Sequence, residues 1–257
     1  MRAKREPEVS VPQRPSSSAT RLGSIGAPPR NRAGTAGRLD PAHALARCIL
    51  FKALDAAGQR ELAASAHRRR YRAGTPIFQF GDPGDSMMAV LSGTVRITLP
   101  VLKGREMVLA DIGAGEVFGE IALLDGCDRS AAAMAFTNCE VLVLERRDAL
   151  RFLGLHPEAC LKLLELLCGR VRRSDERMLD VGFCEIPVRL AKVLLARTGD
   201  KARVSFSQSD LASMIGASRE NVNRHLRDWR RRGILERKDG WIVILQRDML
   251  AALATPA

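Results

Sequence analysis

No two of the six cysteines (Cys48, Cys127, Cys139, Cys160, Cys168, Cys184) stand in C-x-x-C spacing, and the four histidines (His43, His67, His156, His225) are scattered. Zinc and iron–sulfur signatures are thereby excluded, and no metal is expected. An N-terminal secretory h-region is also lacking, so the cysteines are expected as reduced, mostly buried thiols of a cytoplasmic protein. No apolar run approaches the ~20 residues of a membrane span, which excludes a transmembrane helix and a membrane partner of that kind. No nucleophile–base pairing or catalytic metal motif occurs, so no catalytic residue is assigned and an enzyme is not expected.

What the chain does have is length, core material and positive charge. Its 257 residues, 46% of them apolar, suffice for two domains with real cores. The net charge of +12 is unevenly spread: residues 1–39 carry +6, residues 40–184 balance to zero, and residues 185–257 carry +6. Contact with a polyanion therefore belongs to the ends. Residues 1–40 are rich in Arg, Pro, Ser, Gly and Ala and poor in large aliphatics, a composition that predicts a disordered basic tail. Such a tail fits either a DNA-binding arm or a start codon chosen upstream of the true one. Glu6 and Glu8 argue against a transit peptide.

A helical apolar period over residues 51–66 (Leu54, Leu62, Ala66) predicts a short leading helix. Short strands divided by Gly-marked turns follow, at Gly74, Gly81-Asp82, Gly84-Asp85 and Ser92-Gly93. Residues 94–99 alternate polar and apolar, the sign of a half-buried strand, and residues 107–112 and 141–144 add more. Many short strands of this kind argue for a sandwich or jelly roll. Over residues 157–181 the pattern is helical again, with a seam Leu164, Leu167, Val171, Ser174, Met178, Val181 in alternating steps of three and four. That spacing is a coiled-coil seam and predicts a parallel homodimer; a helix packed on its own domain is the alternative.

Residues 117–133, VFGEIALLDGCDRSAAA, concentrate ligand-type side chains. Gly119 and Glu120 fall where a strand gives way to a short helical turn over residues 121–124, whose free N–H groups suit a phosphate. Glycine lets the backbone approach a ligand. A carboxylate at Glu120 would repel phosphate and suits sugar hydroxyls instead, while Arg129 offers forked donors to a phosphodiester and Ser130 a neutral donor. The same residues also fit a surface ion pair between Glu120 and Arg129, with glycines that only make turns. Cys127, two residues before Arg129, is either a buried inert thiol or a redox sensor activated by the guanidinium.

In the basic C-terminal region a helix opens at Glu185-Ile186-Pro187, and two more follow over 207–215, with Ser207 as N-cap and Asp210 at N3, and over 218–231, capped by Ser218. The two-residue link Gly216-Ala217 has helix-turn-helix length, and residues 234–244 around Lys238-Asp239-Gly240 read as a hairpin wing. The last of these helices exposes Arg219, Glu220, Asn223 and Arg224 while Val222 and Leu226 point inward. Arginine suits guanine O6/N7 and glutamate accepts from cytosine N4, so double-stranded DNA is the expected partner. Arg230, Arg231 and Arg232 read as a solvated face, with one or two touching phosphates.

Taken together, these motifs resemble the Crp–Fnr regulators over roughly residues 51–250, closest to the catabolite-activator branch. The resemblance implies an α+β chain: a β jelly-roll cyclic-nucleotide-binding domain over residues 41–153, a dimerisation helix over 154–184, and a winged helix-turn-helix domain over 185–257. In the phosphate-binding cassette so implied, Gly119, Glu120 and Ile121 form the turn. Glu120 would hold the ribose 2′-hydroxyl, and Arg129 with Ser130 the cyclic phosphate. Ser174 stands where a hydroxyl on the dimer helix meets the base; Asp175, where the branch has another hydroxyl, departs from it. The implied effector is therefore cyclic AMP, with cyclic GMP open. Ser207, Ser218, Arg219, Glu220, Asn223 and Arg224 would form the DNA surface for TGTGA-like half-sites in inverted repeat. Asn223 replaces the branch's glycine and alters one step. RNA polymerase is the further partner implied, although the short segment 197–204 does not match the activating surface of the catabolite activator. A regulator of this family that binds DNA without nucleotide, or senses redox state, is the alternative.

Overall fold

Period-two burial builds the N-terminal half. In strand β3 (Ser86–Ser92) Met87 and Leu91 enter one core while Met88 and Val90 enter another. Strand β8 (Cys139–Glu145) divides Leu142 and Leu144 from Val141 and Val143 in the same way. Such strands lie in the middle of a sheet that is covered on both faces. The computed structural model describes residues 54–101, 105–198 and 202–255. The tail expected over residues 1–40, and Cys48, lie outside them.

One antiparallel sheet has the order β1 (Ala66–Tyr71), β8, β3, β6 (Val117–Phe118). The other has the order β2 (Pro76–Phe78), β7 (Ala132–Ala135), β4 (Val95–Val101), β5 (Arg105–Ile112). Met88, Val95, Ile112, Phe118 and Val141 pack between them. The outer face of the first sheet is closed by α1 (Ala56–Ser65), α3 (Arg146–Leu155) and the start of α4 (Pro157–Phe183) through Leu62, Phe152 and Leu163. Each such side chain contributes ~1.5–3 kcal/mol on burial. The leading helix is shorter than its periodicity suggests: Asp55 caps it by accepting from the Gly58 N–H at 2.8 Å, and Ala66 already belongs to β1.

Helix α4 runs 27 residues; its first turns pack on the sandwich through Ala159 and Leu163, and farther along Arg170 and Arg177 reach back to the sandwich carbonyls of Val117 and Leu109. Leu164, Val171, Met178 and Val181 on its seam are exposed. The C-terminal unit contains α5 (Ile186–Thr198), β9 (Arg203–Val204), α6 (Gln208–Ile215), α7 (Arg219–Arg231), β10 (Leu235–Lys238), β11 (Trp241–Ile244) and α8 (Arg247–Leu253). Leu190, Leu211, Val222, Leu226, Trp229 and Ile242 are among its core residues. Asp239 and Gly240, with φ of 50° and 83°, make the wing a hairpin with a two-residue turn. Lys238 is therefore a strand residue paired with Trp241, and β9 adds a third strand.

The alternation in β4 predicts Arg96 and Thr98 on a solvated face, yet both are buried. The reason is that α6 lies over β5 and its neighbour β4. Arg96 Nε donates to Asp111 Oδ1 at 2.8 Å and its Nη1 donates to Asp210 Oδ1, while Phe136 lies 3.6 Å beneath the guanidinium. Arg197 pairs with Asp111 at 3.1 Å from the C-terminal side.

Candidate functional site

The candidate ligand site forms where β6 ends. Gly119, at φ 79°, is the N-cap of the short helix α2 (Glu120–Asp125). A Cβ there would lie 2.7 Å from Arg129 Nη1, so only glycine lets the guanidinium rest against this backbone. Arg129 is 4% exposed. Its Nη1 donates to the carbonyls of Ser86 (2.6 Å) and Gly119 (2.9 Å), and its Nη2 to Ser86 Oγ (2.9 Å). Its own N–H donates to Asp82 O at 2.8 Å, and its carbonyl accepts from Gly81, so the Gly81-Asp82 turn fixes its place. Burial pulls the Arg129 pKa below its ordinary value, opposed by Asp85, Asp82, Glu120 and Glu145.

Glu120 has no solvent exposure. Its Oε1 accepts from Arg170 Nη1 of α4, and Arg170 Nη2 donates to Val117 O. Glu120 Oε2 and Arg129 Nε are buried without a hydrogen-bond partner. Since buried polar atoms are normally paired, the site holds a spare acceptor and a spare donor, a set that fits a hydroxyl and an anionic oxygen. A surface pair between Glu120 and Arg129 does not form, because both are buried and the carboxylate's partner is Arg170. Sequence reasoning passes over Arg170. Its one signal is position, four residues before Ser174 and so one turn along the same side of α4.

The remaining ligand-type residues are less engaged. Ile121 and Ser130 are exposed on α2 and beside Arg129. Ser174 and Asp175 are exposed on α4 and make no hydrogen bond to the Glu120–Arg129 site within the one chain. The cysteines differ from expectation: of the five described, only Cys139 is buried, its thiol pushed up to about 11 by that burial. Cys127 is exposed because it sits in the loop after α2. Its sulfur lies 4.0 Å from the Asp125 carbonyl.

The second candidate surface is the helix pair α6–α7. Ser207 and Asp210 form a capping box, with Ser207 Oγ accepting from Asp210 N–H at 3.0 Å. Ser218 Oγ accepts from Asn221 N–H at 3.2 Å. Both serines thus complete helix starts. Arg219, Glu220 and Arg224 are exposed, opposite the buried Val222, Leu226 and Trp229. Arg224 Nη2 donates to Asn221 Oδ1 at 3.0 Å, and Asn223 is half-buried. Arg224, Arg227, Arg230 and Arg231 line one open groove, and Arg231 and Arg232 pair with Asp228. The groove's charge is that of its four arginines; beside it, burial, aided by Arg224, holds the His225 pKa below its ordinary value against Asp228 and Glu185.

Comparison with known proteins follows the same division. A cyclic nucleotide-binding domain family matches residues 68–156, and a Crp-like helix-turn-helix domain family matches residues 188–253. The chain is 31% identical over 220 residues to the CRP-like cAMP-activated global transcriptional regulator of Mycobacterium tuberculosis, covering 82% of this chain and 98% of that one. It is 36% identical over 197 residues to the cyclic AMP receptor protein of Thermus thermophilus, covering 76% and 91%. Among solved structures, the c-di-GMP-responsive global regulator CLP of Xanthomonas campestris superposes with a TM-score of 0.68 at 26% identity, over 74% of this chain and 99% of that one.

Proposed function

Because this chain belongs to the Crp-like transcription regulators, which join a cyclic nucleotide-binding domain to a DNA-binding helix-turn-helix domain and are not enzymes, we propose that cyclic AMP sets its affinity for DNA. The observation that carries this reading is the pair of buried atoms without partners, Glu120 Oε2 and Arg129 Nε, on either side of the Gly119 turn. The carboxylate oxygen accepts from the ribose 2′-hydroxyl. Arg129 Nε, with Ser130 beside it, donates to the cyclic phosphate. Ser174 and Asp175 meet the base from α4, and Asp175 sets the choice between adenine and guanine. Arg170 joins the site to that same helix, which continues towards the DNA-binding unit.

The chain works as a homodimer, paired along the exposed seam of α4, with residues 41–153 as sensor, 154–184 as dimer helix and 185–257 as reader. Each protomer presents Arg219, Glu220, Asn223 and Arg224 to one TGTGA-like half-site of a palindrome, with Ser207 and Ser218 at the phosphates. Nucleotide binding shifts the population towards the arrangement that spans two successive major grooves. The regulator acts in the cytoplasm, and RNA polymerase is its further partner.

Calorimetric titration with cyclic AMP and cyclic GMP, followed by DNA mobility shift, tests the reading. Cyclic AMP is expected to tighten DNA binding by roughly 5- to 150-fold, the usual range of such coupling. Arg129→Gln abolishes the response while the fold survives. An undiminished response in that variant would overturn the site, and DNA binding indifferent to both nucleotides would place the signal elsewhere.

A further inference from the structure

Of the side chains on the exposed side of α7, Asn223 is the one tied to another helix. Gln208, the first residue of α6, donates from Nε2 to Asn223 Oδ1 at 3.0 Å across 15 residues of sequence. Both side chains are half-buried. Arg224, by contrast, leans along its own helix onto Asn221. A freely rotating asparagine amide can offer a base edge either its carbonyl or its NH2, and bidentate reading of adenine uses both. In this arrangement the bond from Gln208 takes up the Asn223 carbonyl on the α6 side. The NH2 group is what remains to face outward.

We propose that Gln208 is a positioning residue that makes Asn223 a donor-only reader of the major groove. At the step it meets, Asn223 then favours guanine or thymine, whose polar groups there are acceptors only, and disfavours cytosine, which presents only a donor. Adenine, with one of each, falls between. This rests on α7 being the DNA-reading helix and adds to it a residue that touches no base itself.

The test is selection of binding sites from a randomised duplex by the full chain, followed by affinities for all four bases at each half-site position. Gln208→Leu should reduce the guanine-or-thymine preference over cytosine at one position by roughly three- to tenfold, the scale of one hydrogen bond, and Asn223→Ala should flatten the same position. Gln208→Glu gives the sharper outcome. A carboxylate only accepts, so Asn223 must turn its NH2 to α6 and its carbonyl to the groove, and the preference inverts towards cytosine. The added negative charge weakens every duplex alike and drops out of the ratio. Should Gln208→Leu fold poorly, which a melting curve reveals, the near-isosteric Gln208→Glu still decides. A wild-type base profile in the Gln208 variants would overturn the proposal with the DNA-reading role of α7 intact. A parent chain that prefers no base at any position would overturn that role as well.

Discussion

Replacing Arg170 by leucine would leave the Glu120 carboxylate, which has no solvent exposure, without its cation. A buried charge stripped of its partner typically costs ~3–5 kcal/mol, whereas removing both partners together is close to neutral. Urea unfolding of Arg170→Leu, Glu120→Gln and the double variant should therefore show a large loss for the first and a partial recovery in the double. Equal and additive losses would mean that the pair is held by its surroundings. The same residues show where the sequence is legible. Glu120, Arg129 and Ser130 fall within a short stretch, and opposite chemical types so close together suggest a ligand. Arg170 stands 50 residues away on α4, marked only by its place one turn before Ser174. The two atoms left without partners emerge only when burial is known.

At the scale of elements, β4 is legible as a strand because its alternation is a local property, but the cover on its polar face is not. That cover comes from α6, 114 residues on, through Arg96 and Asp210. Asp210 has two duties, since its other oxygen accepts from the Ser207 N–H in the capping box. The two duties separate in a double-mutant cycle. Asp210→Ala loses the reciprocal half of the capping box, its bond from the Ser207 N–H, as well as the contact with β4. Arg96→Ala loses the contact alone. A coupling of roughly 1–3 kcal/mol in denaturant unfolding is expected for a pair this well buried, with Arg96 and Asp210 side chains at 5% and 17% exposure. A coupling near zero would mean that Asp111 and Phe136 hold Arg96 in place and that α6 only rests there. The wing was legible for the opposite reason: Asp239-Gly240 encodes its turn in two adjacent residues.

For the whole molecule, the proposed function makes the seam of α4 the element that would join two reading helices. The helix is legible because its apolar period is written on one element. Leu164, Val171 and Met178 lie exposed along it, an apolar stripe of the kind that a second copy would cover. A lysine at Met178, 70% exposed in the single chain, leaves the fold of each protomer unstrained but places a charge in the seam. Met178→Lys should sediment as a monomer, with its thermal melt close to that of the parent. Its affinity for a palindrome should fall by roughly 10²–10⁴-fold, because the second half-site is no longer met at the high effective concentration that a joined reader provides. Affinity for an isolated half-site should barely change. A variant that stays dimeric would move the interface off this seam, and one that turns monomeric yet keeps its hold on the palindrome would show that each chain finds its half-site alone.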